Sequence, residues 1–76
     1  MDIKILGKGC KKCDLLENHT QKAIEALNLE ASIEKVKDQE AIDGFNVLQT
    51  PALVINGEVV VQGRVPSTKK IMKLLQ

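Results

Sequence analysis

Thr50-Pro51-Ala52-Leu53-Val54-Ile55-Asn56-Gly57-Glu58-Val59-Val60-Val61-Gln62-Gly63 is the stretch on which the fold turns. Pro51 to Ile55 is a short apolar run and reads as a strand. Asn56-Gly57 is the dipeptide best suited to the two positive-φ positions of a tight hairpin turn. Glu58 to Gln62, with three valines, reads as the returning strand, and Gly63 ends it. These two strands are therefore antiparallel neighbours.

Toward the N-terminus the pattern is of a different kind. Ile3 to Leu6 is an apolar run closed by Gly7, consistent with a buried strand. From Asp14 onward the spacing becomes helical. Leu16, Ala23, Ile24 and Leu27 fall on one face with Leu15 beside it, while Glu17, Gln21, Lys22 and Glu25 point away. Asn28 is the expected stop. Ala31 to Val36 reads as a strand, and Asp38 caps a short helix that ends near Gly44. Beyond the hairpin, Ser67 caps a last helix with Ile71, Leu74 and Leu75 on its apolar face.

The order is βαβαββα. The first two strands are joined through a helix and should be parallel with a right-handed crossover. The expectation is an α/β fold with a four-stranded mixed sheet. The first and last helices should share one face and the short middle helix the other. Residues 1–76 are expected to form a single domain, with no internal repeat, linker or low-complexity segment.

Composition narrows the function classes. Eleven basic residues stand against ten acidic ones, for a net charge of +1. That balance leaves no electrostatic footprint for nucleic acid. Phe45 is the one aromatic residue, so there is no stacking platform for bases. No apolar run approaches the roughly 20 residues of a membrane span. The N-terminal apolar stretch is short and broken by Lys4, unlike a secretory signal. A cytoplasmic monomer is expected, without nucleic-acid or membrane partners and with no room for a large cofactor site.

Cys10-Lys11-Lys12-Cys13 lies between the first strand and the first helix. Residues three apart at a helix start have Cβ atoms about 5–6 Å apart, and Cα separations across a disulfide run about 4.4–6.8 Å. The two sulfurs can bond or part with little backbone movement. Unfilled N–H groups and the partial positive charge of the helix start favour a thiolate. As a structural staple the pair would be weak, since closing a loop of about four residues contributes roughly 2 kcal/mol. Two thiolates at this spacing also suit soft ions such as Cu(I) or Zn(II). A full zinc site would need two more ligands. His19 is the sole histidine, and it is expected at the edge of the helix's apolar face. Redox exchange and soft-metal carriage thus remain two readings of the same two cysteines.

With Cys-x-x-Cys after a first strand, and Thr50-Pro51 opening the Pro-Ala-Leu-Val-Ile-Asn-Gly-Glu-Val-Val-Val hairpin, the chain resembles the thioredoxin and glutaredoxin superfamily. It is most similar to the minimal thioredoxin-like group called redox-active disulfide proteins. Gly63-Arg64-Val65 before the last helix belongs to the same pattern, and the resemblance covers essentially the whole chain. It implies a thiol–disulfide oxidoreductase acting on protein or small-molecule disulfides, without a bound cofactor, and recharged by an unidentified reductase. Cys10 would be the attacking thiol and Cys13 the resolving one. Pro51 would be cis and face the disulfide, and the Thr50 backbone would offer strand-like hydrogen bonds to an extended substrate. The pattern departs from thioredoxins at Gly9, where they carry Trp, and at Lys4, where they carry a buried Asp. Arg64-Val65-Pro66-Ser67 replaces the acidic pair common in glutaredoxins, whereas Lys8 matches a basic residue common just before their cysteines. Lys11 and Lys12, between the cysteines, are expected to lower the pKa of Cys10 and make the pair more oxidising.

Overall fold

The Asn56-Gly57 turn forms because both residues sit at positive φ, 50° and 85°, which matches the twist of the strands it joins. A computed structural model of the chain describes residues 1–9 and 11–76. Its elements are β1 (Asp2–Leu6), α1 (Lys11–Leu27), β2 (Ser32–Val36), α2 (Gln39–Asp43), β3 (Ala52–Ile55), β4 (Glu58–Gln62) and α3 (Thr68–Leu75). The strand order across the sheet is β2-β1-β3-β4. β1 runs parallel to β2 and antiparallel to β3, which is antiparallel to β4. This is the four-stranded mixed sheet expected, and the fold is thioredoxin-like.

Strand alternation sends side chains to both faces. Ile3 and Ile5 of β1 and Leu53 and Ile55 of β3 pack with Leu16, Ala23 and Ile24 of α1 and Ile71 and Leu75 of α3. Leu6, Val36, Ala52 and Val54 pack on the other face with Ile42 of α2. The outer helices thus share one face and α2 takes the opposite one. Against β3, Leu53 pairs with Val61 and Val54 with Val59, so Val60 is the extra residue of a bulge. The bulge turns Val60 and Val61 to the α1–α3 face and leaves Val59 on the α2 face.

Helix α1 begins at Lys11, three residues before the apolar periodicity does, because its first turn is polar apart from Cys13. It ends as expected. Asn28 takes φ 53°, its N–H donates to the Glu25 carbonyl, and the Leu29 N–H donates to the Ile24 carbonyl, both at 3.1 Å. This is the paired arrangement that satisfies the last carbonyls of a helix. Two positions differ from expectation. Leu15 is 48% exposed, since it lies about 100° round the helix from the buried Leu16. Thr20 is fully buried in its stead, and its hydroxyl donates to the Leu16 carbonyl at 2.7 Å.

β2 begins at Ser32 and β3 at Ala52. Pro51, lacking an N–H, stands just outside the ladder. Asp38 and Ser67 are the expected caps: the Asp38 carboxylate accepts from the Ala41 N–H and the Ser67 hydroxyl from the Lys70 N–H, each at 3.2 Å. Among the described residues no helix is long and apolar enough to cross a membrane.

Candidate functional site

Parallel pairing of β1 and β2 brings the segments after Leu6 and after Val36 to one edge of the sheet. β3 starts at that edge, because Ala52 pairs with Leu6. The first turn of α1 and the Thr50-Pro51 segment therefore meet there. Cys13 lies in that first turn and is 5% exposed. The helix N–H groups about it lack intrahelical acceptors.

Gly7 borders both the Cys13 sulfur and the proline. A side chain there would collide with Cys13 Sγ and would reach Pro51 Cα at 3.9 Å. The Gly7 N–H donates to the Val36 carbonyl at 3.0 Å, which fixes this close approach to the end of β2. The sequence reading used Gly7 only as a strand terminator. A glycine at the end of a strand that runs into a Cys-x-x-Cys motif was the available signal.

The Thr50–Pro51 peptide bond is cis. Pro51 is buried, Thr50 is exposed, and the Pro51 carbonyl accepts from the Gly63 N–H at 2.9 Å. Lys11 and Lys12 are exposed on the first turn of α1. The expected role of Cys10 as the attacking thiol lies outside the described residues.

Two lysines that the sequence reading passed over come to this edge, Lys35 from β2 and Lys37 from just after it. Lys35 Nζ is 3.1 Å from Glu17 Oε1 and 3.9 Å from Asp14 Oδ1. Its pKa is raised above the usual 10.5, first by the hydrogen bond to Glu17 and then by that carboxylate's charge. Asp14 and Cys13 add smaller contributions in the same direction. Lys37 Nζ stands 3.8 Å from the point a Cβ on Gly9 would occupy, beside the residue that precedes Cys10. Gly9 itself takes φ 83°, a conformation that favours glycine.

Lys4 is half-buried on the α2 face of the sheet. Its ammonium is 2.7 Å from Asp2 and 3.9 Å from Glu34, and its pKa is raised chiefly by the hydrogen bond to Asp2. His19 is six residues beyond Cys13, about 9 Å along the helix. It is half-buried, and its Nδ1 donates to the Pro66 carbonyl at 2.9 Å; a carbonyl can only accept, so the proton is on Nδ1. The ring ties α1 to the segment before α3 rather than turning toward Cys13. Among the described residues no three His, Cys, Asp or Glu side chains gather as metal ligands would.

A family model described as a thioredoxin domain matches residues 1–76. A protein named thioredoxin from Methanothermobacter thermautotrophicus is 36% identical over 75 residues, which cover 99% of this chain and 97% of the relative. Another of that name from Methanocaldococcus jannaschii is 35% identical over 74 residues, covering 97% of this chain and 85% of the relative. On the length of these matches and the fold that carries them, the chain belongs to the thioredoxin-domain family.

Proposed function

We propose that the protein is a thiol–disulfide oxidoreductase working through Cys10 and Cys13. Family membership supports this chemistry at the level of the family. The observation that carries the reading to particular residues is the setting of Cys13. Its sulfur is buried in the first turn of a helix and packed against Gly7, which also borders Pro51.

In the exchange, the Cys10 thiolate attacks one sulfur of a substrate disulfide. That S–S bond breaks, and the departing thiolate takes up a proton. The Cys13 thiolate then attacks the Cys10 sulfur of the mixed disulfide and expels the second substrate thiol. Two electrons have passed from the dithiol to the substrate, and a separate reductase must return them. Thr50 is proposed to hold an extended substrate by its backbone, and Lys11 and Lys12 to favour the Cys10 thiolate.

Reduction of insulin disulfides in the presence of dithiothreitol tests the reading. Cys10→Ser should abolish turnover. Cys13→Ser should accumulate a mixed disulfide at Cys10, visible by mass spectrometry and released by excess thiol. Turnover by Cys10→Ser at the native rate would remove Cys10 from the mechanism.

A further inference from the structure

Leu48 is 92% exposed, far more than Leu15 at 48% or Met1 at 43%, the other exposed large apolar residues among those described. A single exposed leucine on a surface needs no explanation by itself. Its place and its support set this one apart. It lies three residues before Pro51, at the sheet edge that holds Cys13. Its N–H donates to Gln62 Oε1 at 2.9 Å. The neighbouring Gln49 side chain lies against Gly63, where an added Cβ would collide with its Oε1. The loop is thus anchored to the end of β4 at two successive residues, and it holds Leu48 out in solvent.

Lysines gather at the same edge. Lys8 follows β1, Lys37 follows β2, and Lys11 and Lys12 open α1; all four are exposed. Among the described residues, the ion pairs use Lys4 and Lys35 and none of these four. The nearby acids are engaged elsewhere: Asp14 and Glu17 with Lys35, and Asp38 with the N-terminus of α2. A chain of net charge +1 has therefore gathered four exposed lysines at the end of the sheet that holds Cys13.

We propose that this surface selects disulfides carried on acidic, extended polypeptide segments: Leu48 meets an apolar side chain beside the substrate cystine, and Lys8, Lys11, Lys12 and Lys37 attract the flanking carboxylates. The proposal rests on the exchange reading above and names the substrate class of that site. Opposite charge raises the rate of encounter most at low ionic strength, while an apolar contact persists in salt. The two contributions therefore separate experimentally.

The test uses the reduced full-length protein and single-turnover oxidation by cystine peptides of equal length. One peptide has glutamates and a leucine beside the cystine, a second has lysines and the same leucine, and a third has glutamates and a serine. At about 0.01 M salt, where the screening length is about 30 Å, the glutamate–leucine peptide should react at least ~10-fold faster than the lysine peptide, within the ~10–10³ range of electrostatic steering. The ratio should fall toward one as salt approaches 1 M. The double variant Lys8→Gln, Lys37→Gln should lower the ratio at low salt. Leu48→Ser should erase the advantage of the leucine peptide over the serine peptide. Equal rates for acidic and basic peptides at low salt would overturn the selection while leaving the exchange reading intact. Failure to oxidise the protein with any of the peptides, or with neutral 2-hydroxyethyl disulfide, would overturn both.

Discussion

Gly7 shows how one residue's lack of a side chain builds the site. Its φ is not positive, so space rather than backbone conformation excludes larger residues: a methyl group would overlap Cys13 Sγ and lie 3.5 Å from that residue's Cβ. Relief requires Cys13 to leave its place or β1 to draw back from Val36, whose carbonyl the Gly7 N–H holds. Gly7→Ala should therefore destabilise the protein by about 1–3 kcal/mol, the usual range for overpacking a filled site, and slow exchange through Cys13. Urea unfolding and single-turnover rates check the two effects, and native values of both would show that the contact is easily relieved. The place of Cys13 at the start of the first helix and of Thr50-Pro51 just before β3 was legible because each signal is local. Lys35 and Lys37 were not, since they reach the site only through the parallel pairing of β1 with β2.

At the scale of elements, the Lys35–Glu17 pair joins β2 to α1. Its pKa is raised in the folded protein, so its contribution is fully present below the unfolded lysine value of about 10.4 and is lost as pH rises through the folded value. Stability should fall above about pH 10.4 in part through this residue. Lys35→Gln should lower the urea midpoint at pH 8 and have a smaller effect at pH 11, because above the unfolded value the pair's contribution is being lost. A difference between native and variant that is the same at both pH values would assign the effect to packing of the lysine stem instead. Legibility was uneven at this scale too. The ends of α1 illustrate it: Asn28 announced the stop by its residue type, whereas the start at Lys11 lay in a turn with almost no apolar signal. Thr20 was not legible as core because threonine is mostly exposed in folded proteins. Its hydroxyl satisfies itself on the Leu16 carbonyl, so it can be buried without a distant partner.

For the molecule as a whole, the βαβαββα order was legible, but how the two faces depend on one another was not. That dependence runs through β3, whose four residues are all buried. Leu53 and Ile55 enter the cluster with α1 and α3, and Ala52 and Val54 enter the smaller cluster with α2. A loss of packing on either face is thus felt by the same strand. Ile71 and Ile42 are the natural probes, being 0% and 2% exposed on opposite faces. Truncating a buried isoleucine to alanine costs about 2–5 kcal/mol, a large share of the roughly 4–11 kcal/mol that a chain of this length retains. The five-residue α2 has too few turns to persist without the sheet, so local opening beneath Ile42→Ala is the competing outcome. If β3 couples the faces, both Ile71→Ala and Ile42→Ala should unfold in one urea transition with the native m-value. Hydrogen-exchange protection of the β3 amides should then fall in each variant by as much as global stability does. Protection lost in α2 alone under Ile42→Ala, with β3 unchanged, would mean that the smaller cluster is an independent cap on the sheet rather than half of one core.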